Sequence, residues 1–360
     1  MAYEENEARK LILKACNELV SKQLIVRTWG NVSARVTEDR IAITPSGKGY
    51  DTLTEDDIVI VDLKGKYEGD LKPSSELGVH LAGYQSRPEA NFIIHTHQTY
   101  ASALSILGMD IRLGPRVSER TRQLVGPSIV CAEYGLNGSK KIAQAVSYAL
   151  DSNPKTNHVL LKNHGAVCLG TDYDNAFHIA LTLEKLSQKI YDYYCTDGAP
   201  LVEQLAQRKA YKEEKPTVVE EISVVQAIPE TIDSSFERYG MWILHVRTPY
   251  VLKMSEYDTT VKAYLDDFAQ ITGPSVKCVS ADADRPALFK ILGKGNAVFV
   301  EGQGAYTFGP TYDEALCVAE ILEKGCTAAY LARIRDIEPL KAYDAFIDRY
   351  KYVHKYSKLK

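Results

Sequence analysis

The stretch FIIHTHQTYASAL, residues 92–104, sets two histidines, His95 and His97, one residue apart at the end of an apolar run. Its β-branched and aromatic start reads as a strand, in which residues i and i+2 share a face. Two readings follow. The imidazoles are polar residues satisfied by backbone partners at a strand end, or they are two ligands aimed at one metal ion. The second reading needs further ligands from elsewhere in the chain.

Working outward, EENEARKLILKACNELVSKQLI carries apolar residues at helical spacing and reads as an amphipathic helix. Short β-rich runs broken by glycine follow: NVSARV, RIAIT, DIVIVDL, NFIIHTH, PSIVCAE and HVLLK. Helical stretches lie between some of them, at SSELGVHLAGYQS, SKKIAQAVSYAL and YDNAFHIALTLEKLSQKIYDYY. This mixture predicts an α/β fold, a sheet covered by helices.

At 360 residues the chain is too long for one ordinary core, which implies two domains. A net charge of −4 offers no footprint for nucleic acid or an anionic membrane, and no run reaches the length of a membrane-spanning helix. MAYEENEARK is too charged for a signal peptide, and the seven cysteines are dispersed with no CxxC pair. These features together predict a cytoplasmic protein with reduced thiols.

The second half repeats the first. Residues 157–191 align without gaps to residues 296–330 at a constant offset of 139, and Asn157, Gly165, Gly170, Tyr173, Asp174, Leu183, Glu184 and Tyr191 have identical counterparts. Upstream, GPSIVC (126–131) meets GPSVKC (273–278), and IIHTHQTY (93–100) meets ILHVRTPY (243–250). Order is kept while offsets drift, as in a duplicated fold with altered loops. The expected organisation is a catalytic domain over 1–200, a charged linker over 201–221 and a degenerate, truncated, non-catalytic repeat over 222–360.

The third histidine candidate is His164, at the end of a β-rich run in VLLKNHGAVCLG. Three histidines leaving one position open is the usual layout of a catalytic divalent-metal site. In LKPSSELGVHLAGY, Pro73, Ser74 and Ser75 form a helix-start signature with Glu76 in the first turn. A helix start with two serines is an anion site, and Glu76 beside it is a ligand or general base. His80, one turn on, has a packing or supporting role. The loops TWGNVSARV and ITPSGKGY add Gly30, Asn31, Ser33, Thr44, Ser46, Gly47 and Lys48, which with Ser74 and Ser75 make a multi-loop phosphate cradle.

GNVSARV, ITPSGKGYDTL, KPSSE, YQSRPEAN, IIHTH and LLKNHGAVCLG occur in the order found in the class II aldolase/adducin family, which the chain resembles over roughly residues 8–195. The resemblance implies a three-layer α/β/α sandwich with a mainly antiparallel central sheet. It implies a zinc ion (Zn2+) or another divalent metal on His95, His97 and His164, with Glu76 as resting ligand that becomes the acid/base. It also implies that Asn31, Ser46, Gly47, Ser74 and Ser75 hold a substrate phosphate. The reaction implied is cleavage of a ketose 1-phosphate to dihydroxyacetone phosphate and an aldehyde, in a homo-oligomer with active sites between subunits.

The chain departs from the family pattern in one place. A tyrosine expected some twenty residues beyond the His-x-His as proton donor is missing from RLGPRVSERTRQLVG, where Arg116 or Glu119 stands instead. Tyr211 is a candidate for a second family tyrosine. Lys162 invites a Schiff-base mechanism, which would leave the histidines unexplained. Pentulose-phosphate 4-epimerase and 3-keto-acid phosphate decarboxylase chemistry use the same scaffold, and adducin-like members are binding modules. Glutamate at position 76 favours the aldolase over the epimerase.

Overall fold

In a computed structural model the described residues are 2–26, 29–196, 242–257, 260–284, 288, 290–291 and 295–354. The linker expected over 201–221 and Tyr211 lie outside them. The described chain forms two compact units.

The first unit opens with α1 (Glu5–Ser21), whose Ala8, Ile12, Ala15, Cys16 and Leu19 recur at helical spacing and are all buried. Strands β1 (Gly30–Arg35), β2 (Arg40–Ile43) and β3 (Val59–Asp62) follow, then α2 (Leu77–Ser86), β4 (Phe92–Thr96), α3 (Thr99–Ser105), β5 (Ile111–Arg112) and α4 (Glu119–Val125). β6 (Ser128–Ile129), β7 (Cys131–Ala132), α5 (Lys140–Ser152), β8 (His158–Leu161), β9 (Ala166–Gly170) and α6 (Tyr173–Thr196) complete it. The sheet order is β3-β2-β1-β4-β9-β8-β7, antiparallel throughout except for the parallel pair β7 and β8.

One face of this sheet, with Ile41, Ile43, Val61, Ile93, Val159, Val167 and Leu169, packs on Val79 and Ala82 of α2 and Ile142, Val146 and Leu150 of α5. Against the strands also lie α1 and α6. The result is the mainly antiparallel α/β arrangement that the sequence implies. β4 is buried at all five positions because it lies between β1 and β9, which explains its unbroken apolar run.

Two local readings are corrected. PSIVCAE is two short strands rather than one: β6 pairs with β5 and β7 with β8, so the chain changes neighbours at Val130. The helix expected from Ser74 begins at Leu77, with Glu76 at its N-cap. The Ser74 amide is engaged by the Thr44 carbonyl at 3.0 Å, which holds the serines in extended pairing with the β2 exit.

The second unit contains β10 (Trp242–Val246), α7 (Pro249–Ser255), β11 (Val261–Lys262), α8 (Asp266–Thr272), β12 (Ser275–Val276), β13 (Cys278–Val279), β14 (Ala297–Val300), β15 (Gly304–Gly309), α9 (Tyr312–Arg335) and α10 (Ala342–His354). Its sheet, β10-β15-β14-β13, repeats β4-β9-β8-β7. The registers repeat as well: His95 opposes Val167 as His245 opposes Tyr306, and Thr96 opposes Ala166 as Val246 opposes Ala305. Glu184 accepts the Tyr100 and Ala101 amides at 2.8 and 2.9 Å, closing the start of α3. Its counterpart Glu323 accepts the Tyr250 and Val251 amides of α7 at 3.1 and 2.9 Å. Helix starts carry unpaired N–H groups, so a carboxylate there is kept for structural reasons. Among the described residues the second sheet has no counterpart of β1, β2 or β3.

Candidate metal centre

On the α2 face of the first sheet, Asn31 on β1 is in register with His95 on β4. His164 sits in the tight turn between β8 and β9, where its amide reaches the Leu161 carbonyl at 2.9 Å and Asn163 takes a left-handed φ of 62°. This turn folds back over the end of β4 and brings His164 to the His-x-His pair. Glu76 reaches the same point from the start of α2.

The four side chains meet at their metal-binding atoms. His95 Nε2 lies 3.1 Å from His97 Nε2 and 3.0 Å from His164 Nε2. Glu76 Oε2 is 3.1 Å from His95 Nε2, and Oε1 is 2.9 Å from His164 Nε2. All four residues are buried, at 0 to 5 % exposure.

Hydrogen-bond chemistry decides what such a cluster fits. His95 Nδ1 lies 3.0 Å from the Ala166 carbonyl oxygen, which can only accept, so Nδ1 carries the proton. In the neutral ring Nε2 is then a bare lone pair, facing two other ring nitrogens and a carboxylate oxygen. A shared proton would satisfy one of these three contacts, whereas a divalent cation satisfies all of them. Tetrahedral zinc with bonds of about 2.0–2.1 Å sets its ligand atoms roughly 3.3 Å apart, close to the spacing here. The carbonyl behind His95 is the partner that typically fixes a ligating imidazole. Burial acts to raise the Glu76 pKa, and positive charge at the His95 and His164 rings outweighs it and lowers the carboxyl well below its ordinary range. A divalent cation held by neutral rings acts in the same direction.

The residues expected at a phosphate lie next to this cluster. Residues 44–46 and 72–74 run side by side: Ser46 N donates to the Lys72 carbonyl at 2.9 Å, and Pro45 bridges Pro73. The Ser74 hydroxyl accepts the Glu76 amide at 3.2 Å. Gly47 turns with φ 77° and is exposed, while Ser46 and Ser75 are half-buried and Gly30 and Thr44 are buried. Lys48 forms an ion pair with Asp57 at 2.5 Å, which engages its charge away from the loop.

Asn31 and Ser33 face α2 rather than the loop. Asn31 Nδ2 donates to Glu76 Oε2 at 2.8 Å, and Ser33 Oγ contacts His80 Nδ1 at 2.6 Å. Glu119 and Arg116 are exposed at the start of α4, and the structure does not bring them into the cluster. The contact missed from sequence is Asn31 with Glu76, because it depends on β1 pairing with β4 across sixty intervening residues.

The family model described as Class II Aldolase and Adducin N-terminal domain matches residues 10–191 and 241–330. The chain is 37% identical over 185 residues to L-fuculose phosphate aldolase of Escherichia coli (strain K12), covering 51% of this chain and 83% of that protein. It is 35% identical over 185 residues to 5-deoxy-D-ribulose 1-phosphate aldolase of Bacillus thuringiensis serovar kurstaki, covering 51% of this chain and 84% of that one. A solved L-fuculose 1-phosphate aldolase aligns with a TM-score of 0.49 at 33% identity, covering 55% of this chain and 90% of that chain. With a family model matched over most of its length, the chain belongs to the class II aldolase/adducin family.

Proposed function

We propose that this protein is a zinc-dependent class II aldolase that cleaves a ketose 1-phosphate to dihydroxyacetone phosphate and an aldehyde. The observation that carries the reading is the convergence of three buried Nε2 atoms and the Glu76 carboxylate on one point. A binding module of this family has no use for such a cluster.

When bound there, zinc supplies a Lewis acid that draws electrons from a carbonyl and stabilises negative charge beside it. The chain's own residues do the rest. His95, fixed by the Ala166 carbonyl, presents its Nε2 lone pair inward, toward Nε2 of His97 and of His164. Ser46, Gly47, Ser74 and Ser75 hold the phosphate and so fix which carbon lies over the cluster, while Asn31, expected among them, turns its amide to Glu76 and His80. Glu76 supplies the carboxylate oxygen that accepts a proton and returns it. The C4 hydroxyl gives its proton to Glu76, and the C3–C4 bond breaks with its electron pair passing to C3 and the adjacent carbonyl. C4 leaves as the aldehyde, and Glu76 returns the proton to C3 to give dihydroxyacetone phosphate.

The second unit is a catalytically silent copy. His245 Nε2 is 2.8 Å from the Gln303 carbonyl, so the nitrogen that would meet a metal is already engaged. Arg247 stands at the His97 position and Gln303 at the His164 position. An arginine repels a cation, and glutamine is a poor zinc ligand. We assign the protein to a cytoplasmic homo-oligomer acting on sugar phosphates; among the described residues no helix is long and apolar enough to cross a membrane.

The test is a panel of ketose 1-phosphates with coupled detection of dihydroxyacetone phosphate, run with and without chelator on wild type and His97→Ala. Turnover that stops with chelator and with His97→Ala is expected. Full activity in a metal-free His97→Ala protein would sink the reading, and a metal-loaded protein that cleaves none of the panel points to epimerase or decarboxylase chemistry.

A further inference from the structure

Behind Glu76, five side chains form one hydrogen-bonded row. Tyr84 OH is 3.0 Å from Ser33 Oγ, Ser33 Oγ is 2.6 Å from His80 Nδ1, His80 Nε2 is 2.5 Å from Asn31 Oδ1, and Asn31 Nδ2 is 2.8 Å from Glu76 Oε2. Every member is buried, at 0 to 5 % exposure. The chemistry of the two ends sets the direction of each bond.

Asn31 Nδ2 donates to Glu76 Oε2. The reverse amide orientation would put two oxygens 2.8 Å apart. Asn31 Oδ1 must then accept, which makes His80 Nε2 the protonated nitrogen. Burial pushes the His80 pKa down to about 3, so the ring is neutral and Nδ1 is bare. Ser33 therefore donates to Nδ1, and its oxygen accepts from Tyr84. All four donors point toward Glu76, and such a chain polarises in one direction.

We propose that Tyr84, Ser33 and His80 are positioning residues that fix the Asn31 amide and, through it, Oε2 of Glu76. The inference rests on the reading of Glu76 as the acid/base. It separates Ser33 from the phosphate cradle: Ser33 is fully buried, both its neighbours in the row are protein groups, and it acts on the carboxylate. It gives Asn31 a defined task as well, because one amide holds the ring behind and the base in front.

The decisive measurement is the His80 tautomer by nitrogen NMR on zinc-loaded, 15N-histidine-labelled protein, with His80→Gln supplying the assignment. A ring protonated on Nε2 and bare on Nδ1 across neutral pH is expected; one protonated on Nδ1, or on both nitrogens at pH 7, overturns the proposal. This readout stands whether or not any ketose phosphate is cleaved, so its failure is distinct from failure of the aldolase reading. Ser33→Ala is then compared with wild type by zinc competition and by steady-state kinetics. Loss of the bond should weaken zinc affinity or kcat by roughly 10–100-fold, with KM and inhibition by orthophosphate within about twofold. Wild-type zinc affinity and kcat, or a change confined to KM and orthophosphate inhibition, would show that Ser33 does not position Glu76. Tyr84→Phe removes one oxygen and no carbon, and should shift in the same direction by a smaller factor if Ser33→Ala does not fold.

Discussion

Gly165 approaches Thr96 so closely that a Cβ on Gly165 would stand 2.2 Å from the Thr96 carbonyl oxygen. Gly304 stands in the same relation to Val246, at 2.3 Å. The close pass is therefore part of the fold in both units, while among the described residues the cluster of three histidines with Glu76 belongs to the first. Gly165→Ala must move either β4 or the His164 turn. It should destabilise the protein by about 1–3 kcal/mol and weaken metal retention, because His164 is the next residue. Gly304→Ala should also destabilise, yet leave metal content unchanged. Urea unfolding and metal analysis of both variants check this; wild-type stability in Gly165→Ala would contradict the packing argument.

Glu76→Gln should keep the metal and lose turnover by roughly 10²–10⁴-fold. The amide retains an oxygen that can face the cation and is nearly the same size, but it cannot carry the proton. Metal analysis alongside the coupled assay separates the two effects. A near-normal rate would reduce Glu76 to a residue that begins α2.

The candidate ligands could be picked out in sequence because each piece rests on local geometry. The two-residue period of a strand puts His95 and His97 on one side, and the Asn-His-Gly of residues 163–165 is a turn signal in its own right. What the chain did not disclose depends on distant pairing. The opposition of Asn31 and His95 follows from β1 lying beside β4, and the late start of α2 from the Thr44 carbonyl taking the Ser74 amide. Lys48 reads as a phosphate residue from its loop, yet Asp57 reaches it from a later segment. The identities shared by the two halves divide in the same manner: Gly304 and Glu323 persist for close packing and helix capping, and neither reports a second site.

His158 gives a pH prediction. It lies on β8 with both ring nitrogens buried and without a hydrogen-bond partner, and burial pushes its pKa from 6.5 down to about 4. Below pH 6.5 the unfolded chain binds a proton here that the folded chain refuses. Stability is therefore lost as pH falls from about 6.5 to about 4, by up to roughly 3 kcal/mol from this residue. His158→Leu should remove that share, so the gap between wild type and variant grows in the variant's favour across the window. Equal pH dependence of the two urea midpoints would show that His158 is protonated, or solvated, in the native protein.

Metal stoichiometry tests the assignment of the second unit. Its strand pairing repeats the first unit residue for residue at β10 and β15, so a second site is conceivable on backbone grounds alone. The side chains argue against it. His245 directs Nε2 to the Gln303 carbonyl and stacks its ring on Tyr306, with centroids 4.6 Å apart, so it is held by groups that need no cation. Arg247 adds a fixed positive charge at the position where the first unit has His97. Metal analysis of the purified protein should give about one ion per chain. His245→Ala should leave that ratio and the turnover unchanged, whereas His95→Ala should abolish both. A second ion lost specifically with His245→Ala, in a protein that remains folded, would overturn the assignment.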